Sequence, residues 1–386
     1  MEENERRFEQ DIETYLLSKD GGYIKGYPED FDRESALNQK DLFKFIEDTQ
    51  SKEWNRYKST FPDDYESRFV KRFNEEVVTR GIIDVIRNGI ADRGFKFKLA
   101  YFMPETDLVP ENWDLYNKNI LNETRQLKYS TQNENSIDIV LLLNGIPVVA
   151  LELKNQITGQ NSENAQKQFM YDRDPRELIF RFNSRIIAYF AVDHYDVKYT
   201  TKLAGKDTYY LPFNQGSNGA GNVGGAGNPT NENGYTTDYL WKNVLKKDSL
   251  MEILHKFIHL QVKEEVLHRG GKEIIKKKED IIFPRFHQLD VVRKLIWNVR
   301  DCGVGHNYLI QHSAGSGKSN SIAWLAHRLS GLHDKNNNAV FNSIIVVTDR
   351  KVLDKQLQET IYQFEHQKGV VVKIDDEKTS KDLKDA

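Results

Sequence analysis

The first third of the chain carries apolar side chains at the spacing of amphipathic helices. Residues 8–16, 41–57 and 65–77 repeat such side chains every three or four positions, which predicts three helices with one buried face each. Between residues 95 and 101 the pattern changes to alternation of apolar and polar residues, which predicts a strand. The N-terminal region is therefore expected to combine helices with the beginning of a sheet.

Two strongly apolar runs rich in β-branched residues follow, Ile137–Leu143 and Pro147–Leu153. The dipeptide between them, Asn144-Gly145, favours the two-residue turn of a β-hairpin. A further run, Ile186–Val192, has the composition of another strand. Hairpin and strand together predict a sheet in the same domain as the helices.

The second half of the chain contains a Gly-rich segment, a predicted helical linker and a predicted α/β domain. Residues 215–234 hold seven glycines among Asn, Ser and Pro, which predicts a mobile loop. A helical run with a charged tail predicts a helical linker over 246–280, with helix from Leu250 to Leu267. Residues 281–386 follow the order helix, strand, Gly-rich turn, helix, strand, which is typical of an α/β domain with a parallel sheet. The predicted division is 1–245, 246–280 and 281–386.

Composition limits the classes of protein to be considered. The 386 residues suffice for two or three domains. The net charge of −3 excludes a uniformly basic nucleic-acid coat, and the single cysteine, Cys302, excludes a disulfide framework. The N-terminus has no signal-peptide pattern and no apolar run approaches a membrane span, so we expect a cytoplasmic protein without a membrane partner.

Charged residues interrupt the apolar hairpin at three positions. Glu152 and Lys154 are two residues apart and therefore share one face of a strand, and the hairpin fold brings Asp138 nearly opposite Glu152. Two carboxylates can bind Mg²⁺, and a lysine can orient a water or neutralise developing charge, as phosphodiester hydrolysis requires. The same three residues could instead form a salt-bridge network on a half-exposed sheet face.

A Gly-rich turn after the apolar run 308–310 carries a second candidate site, Ser313–Ser319. Its backbone N–H groups would hold phosphates at a helix N-terminus. Lys318 would reach the β and γ phosphates of ATP and Ser319 the accompanying Mg²⁺. His312 stands where the general phosphate-loop pattern has its first glycine. The cofactor-binding residues expected here are Gly315, Ser316, Gly317, Lys318 and Ser319.

The run Ser136–Pro147 with Leu151–Gln156 resembles the core of PD-(D/E)xK nucleases, and more narrowly that of the R (restriction) subunits of type I restriction–modification enzymes. Residues 8–23, 45–54 and 211–214 resemble the same subunits. The resemblance implies a PD-(D/E)xK domain, a mixed sheet flanked by helices, followed by an incomplete RecA-like superfamily-two helicase domain. Residues 313–319 resemble motif I of those helicases.

The resemblance also implies roles for particular residues. Asp138, Glu152, Lys154 and Gln168 would be catalytic, and Glu9 would join Asp138 and Glu152 around Mg²⁺, although residue type alone leaves Glu9 a solvated helix acid. Gln288 would read the adenine of ATP. The arginines that follow the nuclease core would give its groove a basic wall; they are Arg173, Arg176, Arg181 and Arg185.

The implied activity is that of a type I site-specific deoxyribonuclease, with double-stranded DNA and the methylation (M) and specificity (S) subunits as partners. No Asp-Glu motif follows Lys318, so we expect nucleotide binding without ATP turnover by this chain alone. Two alternatives stay open. One is a helicase-type DNA translocase whose N-terminal domain only docks on DNA, and the other is a non-catalytic fragment that docks on partner subunits.

Overall fold

Two units make up the computed structural model: unit 1 comprises residues 1–104 and 109–285, and unit 2 comprises residues 105–108 and 286–386. The structure describes residues 2–155, 159–269, 272–349 and 351–363, together with 371, 372, 378 and 381. Gln156, Gly270, Gly271 and Arg350, which the sequence motifs include, lie outside the described residues.

Helices and short strands form the first part of unit 1. The predicted helices are confirmed, and the alternating segment forms only a short strand because residues 98–101 leave the ladder. The elements are α1 (Glu2–Leu16), β1 (Ile24–Lys25), α2 (Gln39–Thr60), α3 (Tyr65–Arg80), α4 (Ile82–Asn88), β2 (Ile90–Asp92), β3 (Phe95–Phe97) and α5 (Pro110–Asn117).

A seven-stranded mixed sheet forms the centre of unit 1, in the order β1-β4-β5-β6-β7-β8-β9. The β1–β4 and β6–β7 pairs are parallel and the others antiparallel. Every residue of β6 is buried, Glu152 included, as expected of a largely apolar central strand. The remaining elements of this part are β4 (Leu121–Lys128), β5 (Ser136–Leu143), β6 (Ile146–Leu153), α6 (Ser162–Tyr171), β7 (Ala188–Val192), β8 (Val197–Thr200) and β9 (Leu211–Pro212).

The hairpin prediction is confirmed: β5 and β6 are joined by Asn144 and Gly145, whose φ angles of 49° and 80° match a type I′ turn. One residue of β6, Val148, has no counterpart in β5, since Leu142 pairs with Pro147 and Leu141 with Val149. This bulge moves the register by one, so that Ile139 pairs with Leu151 and Asp138 comes opposite Glu152. Without the bulge, Glu152 would point to the other face of the sheet.

Helix α6 packs on the sheet face that carries Asp138 and Glu152. Its Phe169 is fully buried in one core cluster with Val140 and Ala150, which are two residues from Asp138 and Glu152 along their strands. Alternate residues of a strand share a face, so this contact places α6 beside the two carboxylates.

The helical linker predicted over 246–280 is wrong beyond residue 258. A π-helical turn (Leu240–Val244), α7 (Lys247–Glu252) and a second π-helical turn (Ile253–Phe257) are followed by β10 (His259–Arg269) and β11 (Lys272–Ile282), which pair antiparallel in a separate two-stranded ribbon. The ribbon belongs to unit 1, which extends to Arg285. Cross-strand pairing of the alternating residues on both sides of residues 270–271 outweighs the helical spacing. The Gly-rich segment 215–234 is irregular, as its composition requires.

Unit 2 contains α8 (Phe286–Cys302), α9 (Lys318–Ser330) and α10 (Lys351–Gln363). The predicted parallel sheet is not formed by the described residues, and the apolar runs at 308–310 and 344–349 are irregular. Leu309 is 94% and Val347 85% exposed. Apolar composition predicts burial, but a strand also needs hydrogen-bonded neighbours, and the described part of unit 2 supplies none to these runs.

Candidate active site

Glu152 lies at the centre of the candidate site and is fully buried. Its Oε1 accepts hydrogen bonds from Nε and Nη2 of Arg173, the former at 3.1 Å, and Arg173 is itself only 4% exposed. Arg173 also donates from Nη2 to the Ser136 carbonyl at 2.7 Å, and its guanidinium lies over the Tyr129 ring. The other oxygen, Glu152 Oε2, is buried without a hydrogen-bond partner. The ion pair therefore fixes the carboxylate and leaves one oxygen available.

Asp138 is held from two sides. Its Oδ2 accepts the backbone N–H of Leu153 at 2.7 Å, which ties it to the strand that carries Glu152. Its Oδ1 accepts from Nε2 of Gln126 at 3.2 Å, and the same amide donates to Oε1 of Glu9 at 3.0 Å. Gln126 has a positive φ of 49° within β4, a costly conformation for a residue with a side chain. The backbone is therefore distorted at the residue whose side-chain amide bridges the two carboxylates.

Glu9 reaches the site from α1, as the resemblance implies, and is not solvated. It is 6% exposed, and its Oε2 accepts from Nε and Nη2 of Arg125 at 3.1 and 2.9 Å. Burial first, and then the Asp138 carboxylate, raise the pKa of Glu9 above its ordinary value, against the opposing effect of Arg125.

The same two causes act on Glu152. Burial first, and then Asp138, raise the pKa of Glu152 well above its ordinary value, and Arg173 and Lys154 oppose that rise. Asp138 thus disfavours the ionised form of a glutamate on each side of it. A cation bound between the carboxylates would favour their ionised forms.

Lys154 and Gln168 line one groove of about 310 Å³, together with Asn164 and Tyr171. Gln168 also borders a neighbouring groove that Arg173 lines. Among the described residues no ion pair joins Lys154 to Asp138 or Glu152. The ion pair of Glu152 is made by Arg173, so the salt-bridge alternative does not hold in the form that pairs these carboxylates with Lys154.

The donor chemistry of Asp138 and Glu152 fits a hard divalent cation, because both offer carboxylate oxygens and Glu152 Oε2 is buried without a partner. Glu9 fits less well, because Arg125 and Gln126 take both of its oxygens. The described residues contain no group of three or more His, Cys, Asp or Glu side chains arranged to hold a metal ion. The expected three-carboxylate set is therefore not assembled, and Asp138 with Glu152 remains as the candidate pair.

The expected basic wall is not formed by all of its four arginines. Arg173 is buried against Glu152, and Arg185 is fully buried, where it donates to the carbonyls of Ser35 and Ala36. Arg176 is exposed and pairs with Asp174. Two of the four are thus structural cations of the interior, because each finds enough acceptors to compensate for its burial.

The Gly-rich turn of unit 2 leads into α9, whose first residue is Lys318. Gly315 and Gly317 have φ of 75° and 80°, which only glycine adopts without strain. Lys318 Nζ donates to the carbonyls of His312 and Ser313 at 3.2 and 3.0 Å, so in this conformation it closes the loop on itself. Ser319 is exposed, whereas Ser316 is buried.

The Gln288 side chain contacts this loop through the loop's backbone carbonyls. The side chain is 3% exposed and donates from Nε2 to the carbonyls of Ser316 and Gly317 at 3.2 and 2.9 Å. A Cβ on Gly317 would lie 2.4 Å from that nitrogen. The structure therefore brings Gln288 together with the phosphate-loop residues, and its contact with adenine stays a prediction.

Residues 2–208 match the family model described as the N terminus of the type I restriction enzyme R protein. The chain belongs to this R protein family. Residues 287–385 match the SWI2/SNF2 ATPase model. A relative from Methanocaldococcus jannaschii, named "Putative type I restriction enzyme MjaVIIIP endonuclease subunit", is 24% identical over 360 residues.

That alignment covers 91% of this chain and 31% of the relative, so the chain spans about a third of the relative's length. The R protein match includes the whole β5–β6 hairpin and α6, and the ATPase match includes the phosphate-loop residues. No helix among the described residues is both long and apolar enough to cross a membrane.

Sequence reasoning missed three residues around the R protein site. Arg173 was expected in a groove wall, and Arg125 and Gln126 were not expected in the site at all. The sequence indicates these roles only weakly, because an arginine that follows a helix is usually exposed. Arg125 and Gln126 lie among other polar residues of β4, and nothing in that pattern distinguishes them. Only the tertiary fold shows that each contacts a carboxylate.

Proposed function

We propose that unit 1 is a Mg²⁺-dependent endonuclease acting on double-stranded DNA, in the R subunit of a type I restriction enzyme. The observation that carries the proposal is the pairing of Asp138 with Glu152 across the bulged hairpin, with Lys154 on the same face. The buried Glu152 Oε2, which has no hydrogen-bond partner, supports a cation there. Family membership makes strand cleavage the reaction to expect from such a set.

Each residue then has a part in phosphodiester hydrolysis. Asp138 and Glu152 would hold the divalent cation, which supplies charge stabilisation at the phosphate and an acidified water. The Lys154 ammonium hydrogen-bonds a phosphate oxygen and stabilises the negative charge that develops as the bond to the leaving oxygen breaks. Gln168, which lines the same groove from α6, offers an amide to the DNA backbone or the water. Arg173 is a positioning residue that acts through Glu152.

Unit 2 would bind ATP with Mg²⁺ at Gly315–Ser319, and Gln288 would select adenine. The SWI2/SNF2 match supports a DNA-translocating role for the complete subunit. We further propose cytoplasmic action with M and S subunits, which would choose the DNA site. No observation in unit 1 favours a purely docking role over cleavage.

Calorimetric titration with Mn²⁺ tests the metal site without relying on activity. We expect one high-affinity site in the chain in the absence of nucleotide, and its loss in Asp138→Asn. Asp174→Asn is the matched control, because Asp174 is a surface carboxylate paired with Arg176. Equal Mn²⁺ binding by wild type and Asp138→Asn would contradict the proposal.

A further inference from the structure

The β10–β11 ribbon is anchored to the rest of unit 1 at the end where β11 leaves it. Near its base, Ile281 is buried and its carbonyl accepts from Thr201 Oγ1 at 2.8 Å, and the Tyr199 hydroxyl donates to the Phe283 carbonyl at 3.0 Å. Further out, residues 263–264 and 276–279 are exposed. No third strand joins the ribbon among the described residues. At about 3.4 Å per residue, eleven residues make an arm about 37 Å long.

The register of the arm separates its charges onto two faces. Lys263 is paired with Lys278 and Glu265 with Lys276, and alternate positions along both strands share that face. In the parts of the strands whose side chains the structure describes, residues 259–264 and 276–282, this face carries Lys263, Lys276 and Lys278 with one acidic residue, Asp280. We call it the lysine face. In the same parts of the strands, the opposite face carries one lysine, Lys277, with Glu264 and Glu279.

The pairing of Lys263 with Lys278 is unfavourable for the arm alone. Directly opposed residues of antiparallel strands have Cβ atoms about 5 Å apart, and like charges there destabilise the ladder. Both lysines are exposed. On the opposite face, by contrast, Lys277 lies 3.9 Å from Glu264 in an ordinary cross-strand ion pair. The lysine face therefore has a charge arrangement that an anionic partner would stabilise.

We propose that the lysine face of the β10–β11 arm binds the phosphate backbone of duplex DNA. This inference rests on the proposed function, since it takes DNA as the polymer on which the chain acts. A two-stranded ribbon has the width that the major groove of DNA admits, and Lys263 on one strand with Lys276 and Lys278 on the other presents neighbouring cations to phosphates. An acidic protein segment would match the charge but would not require a ribbon of this shape.

Salt-dependent binding to a short labelled duplex tests the inference with the full chain. Binding is measured by fluorescence anisotropy in EDTA, so that the result does not depend on cleavage. The variant carries Lys263→Gln, Lys276→Gln and Lys278→Gln together. Lys277→Gln is the control for loss of a single lysine, because Lys277 lies on the opposite face of the strand that carries Lys276 and Lys278.

We expect the triple variant to bind at least tenfold more weakly at moderate salt. Each phosphate contact contributes a slope of about −0.9 to the plot of log K against log salt, so the slope should become shallower by about 2 to 3. Lys277→Gln should bind like wild type. Equal binding by wild type and triple variant, equal losses in both variants, or no DNA binding by wild type at low salt would overturn the inference. The first result would instead assign the face to a protein partner.

Failure of this inference can be distinguished from failure of the nuclease proposal. If the arm does not contact DNA, the triple variant binds normally whatever the fate of cleavage. If the nuclease proposal fails, Mn²⁺ binding at Asp138 is absent whether or not the arm binds DNA. Circular dichroism spectra of all variants should superimpose on that of wild type, since the substituted side chains are exposed.

Discussion

Removal of the Arg173 guanidinium should expose the electrostatic cost of the buried Glu152 carboxylate. Arg173→Met keeps an unbranched side chain and deletes the charge. Arg173 and Glu152 are 4% and 0% exposed, so solvent screens the pair little. Breaking one side of such a buried pair costs about 3 to 5 kcal/mol. In a unit of this size that corresponds to a fall in Tm of roughly 10 °C.

The loss should depend on pH in a defined direction. The pKa of Glu152 is already raised in the folded state, and Arg173→Met removes the main group that lowers it. A carboxyl with a raised folded pKa holds its proton in the native state while the unfolded chain has released it, so stability falls as pH rises above about 4.5. Both proteins share this loss up to the folded pKa of wild-type Glu152, which is the lower of the two, so the difference between them should be small near pH 4.5 and grow only as pH passes that pKa towards pH 8.

Thermal unfolding followed by circular dichroism at both pH values measures this difference. Arg176→Met is the control, because Arg176 is 90% exposed in its pair with Asp174 and should shift Tm by little. Adding Glu152→Gln to Arg173→Met should recover part of the loss at high pH, since the amide needs no counter-charge. The reasoning is refuted if Arg173→Met is as stable as wild type, or if its loss is the same at both pH values.

Two further predictions concern other buried or loop residues. Burial first, and then Glu13, raise the pKa of Glu123 to about 8, and neither of its oxygens has a hydrogen-bond partner. In urea denaturation, Glu123→Gln should therefore gain stability relative to wild type as pH rises from about 4.5 to 8. A difference in stability that stays constant over this range would contradict this. In unit 2, Lys318→Ala should weaken binding of a fluorescent ATP analogue at least tenfold, whereas Lys335→Ala, which removes a surface pair with Asp301, should not.

The hairpin shows what local pattern can determine. Asn144 and Gly145 tolerate the positive φ that a type I′ turn requires, and the apolar runs on both sides are long enough to span a sheet. Turn, strands and approximate register therefore follow from the sequence. The final register does not. It depends on the bulge at Val148, where Pro147 lacks the N–H of a regular ladder position, and nothing in the spacing of the residues shows where the extra residue is accommodated.

The arm and unit 2 show two ways in which pattern fails. In the arm, alternation of residue types on both sides of residues 270–271 predicts two paired strands, whereas the apolar spacing from Leu250 predicts a helix. Only the cross-strand partners decide between the two structures. In unit 2, the run at 308–310 has a strand's composition, yet pairing depends on distant segments that local composition does not describe. The site has the same dependence, since Arg173 reaches Glu152 only through the packing of α6 against β6.

Nicking of supercoiled plasmid by the full chain with Mn²⁺ tests the central claim most directly. Wild type should convert supercoiled DNA to the open-circular form. Lys154→Ala, which removes the ammonium with its alkyl chain, should lose at least about 99% of that rate, as expected when a transition-state donor is removed. Lys44→Ala, which removes a surface pair with Asp48, should nick like wild type. Undiminished nicking by Lys154→Ala, or none by wild type, would contradict the assignment of strand cleavage to this hairpin.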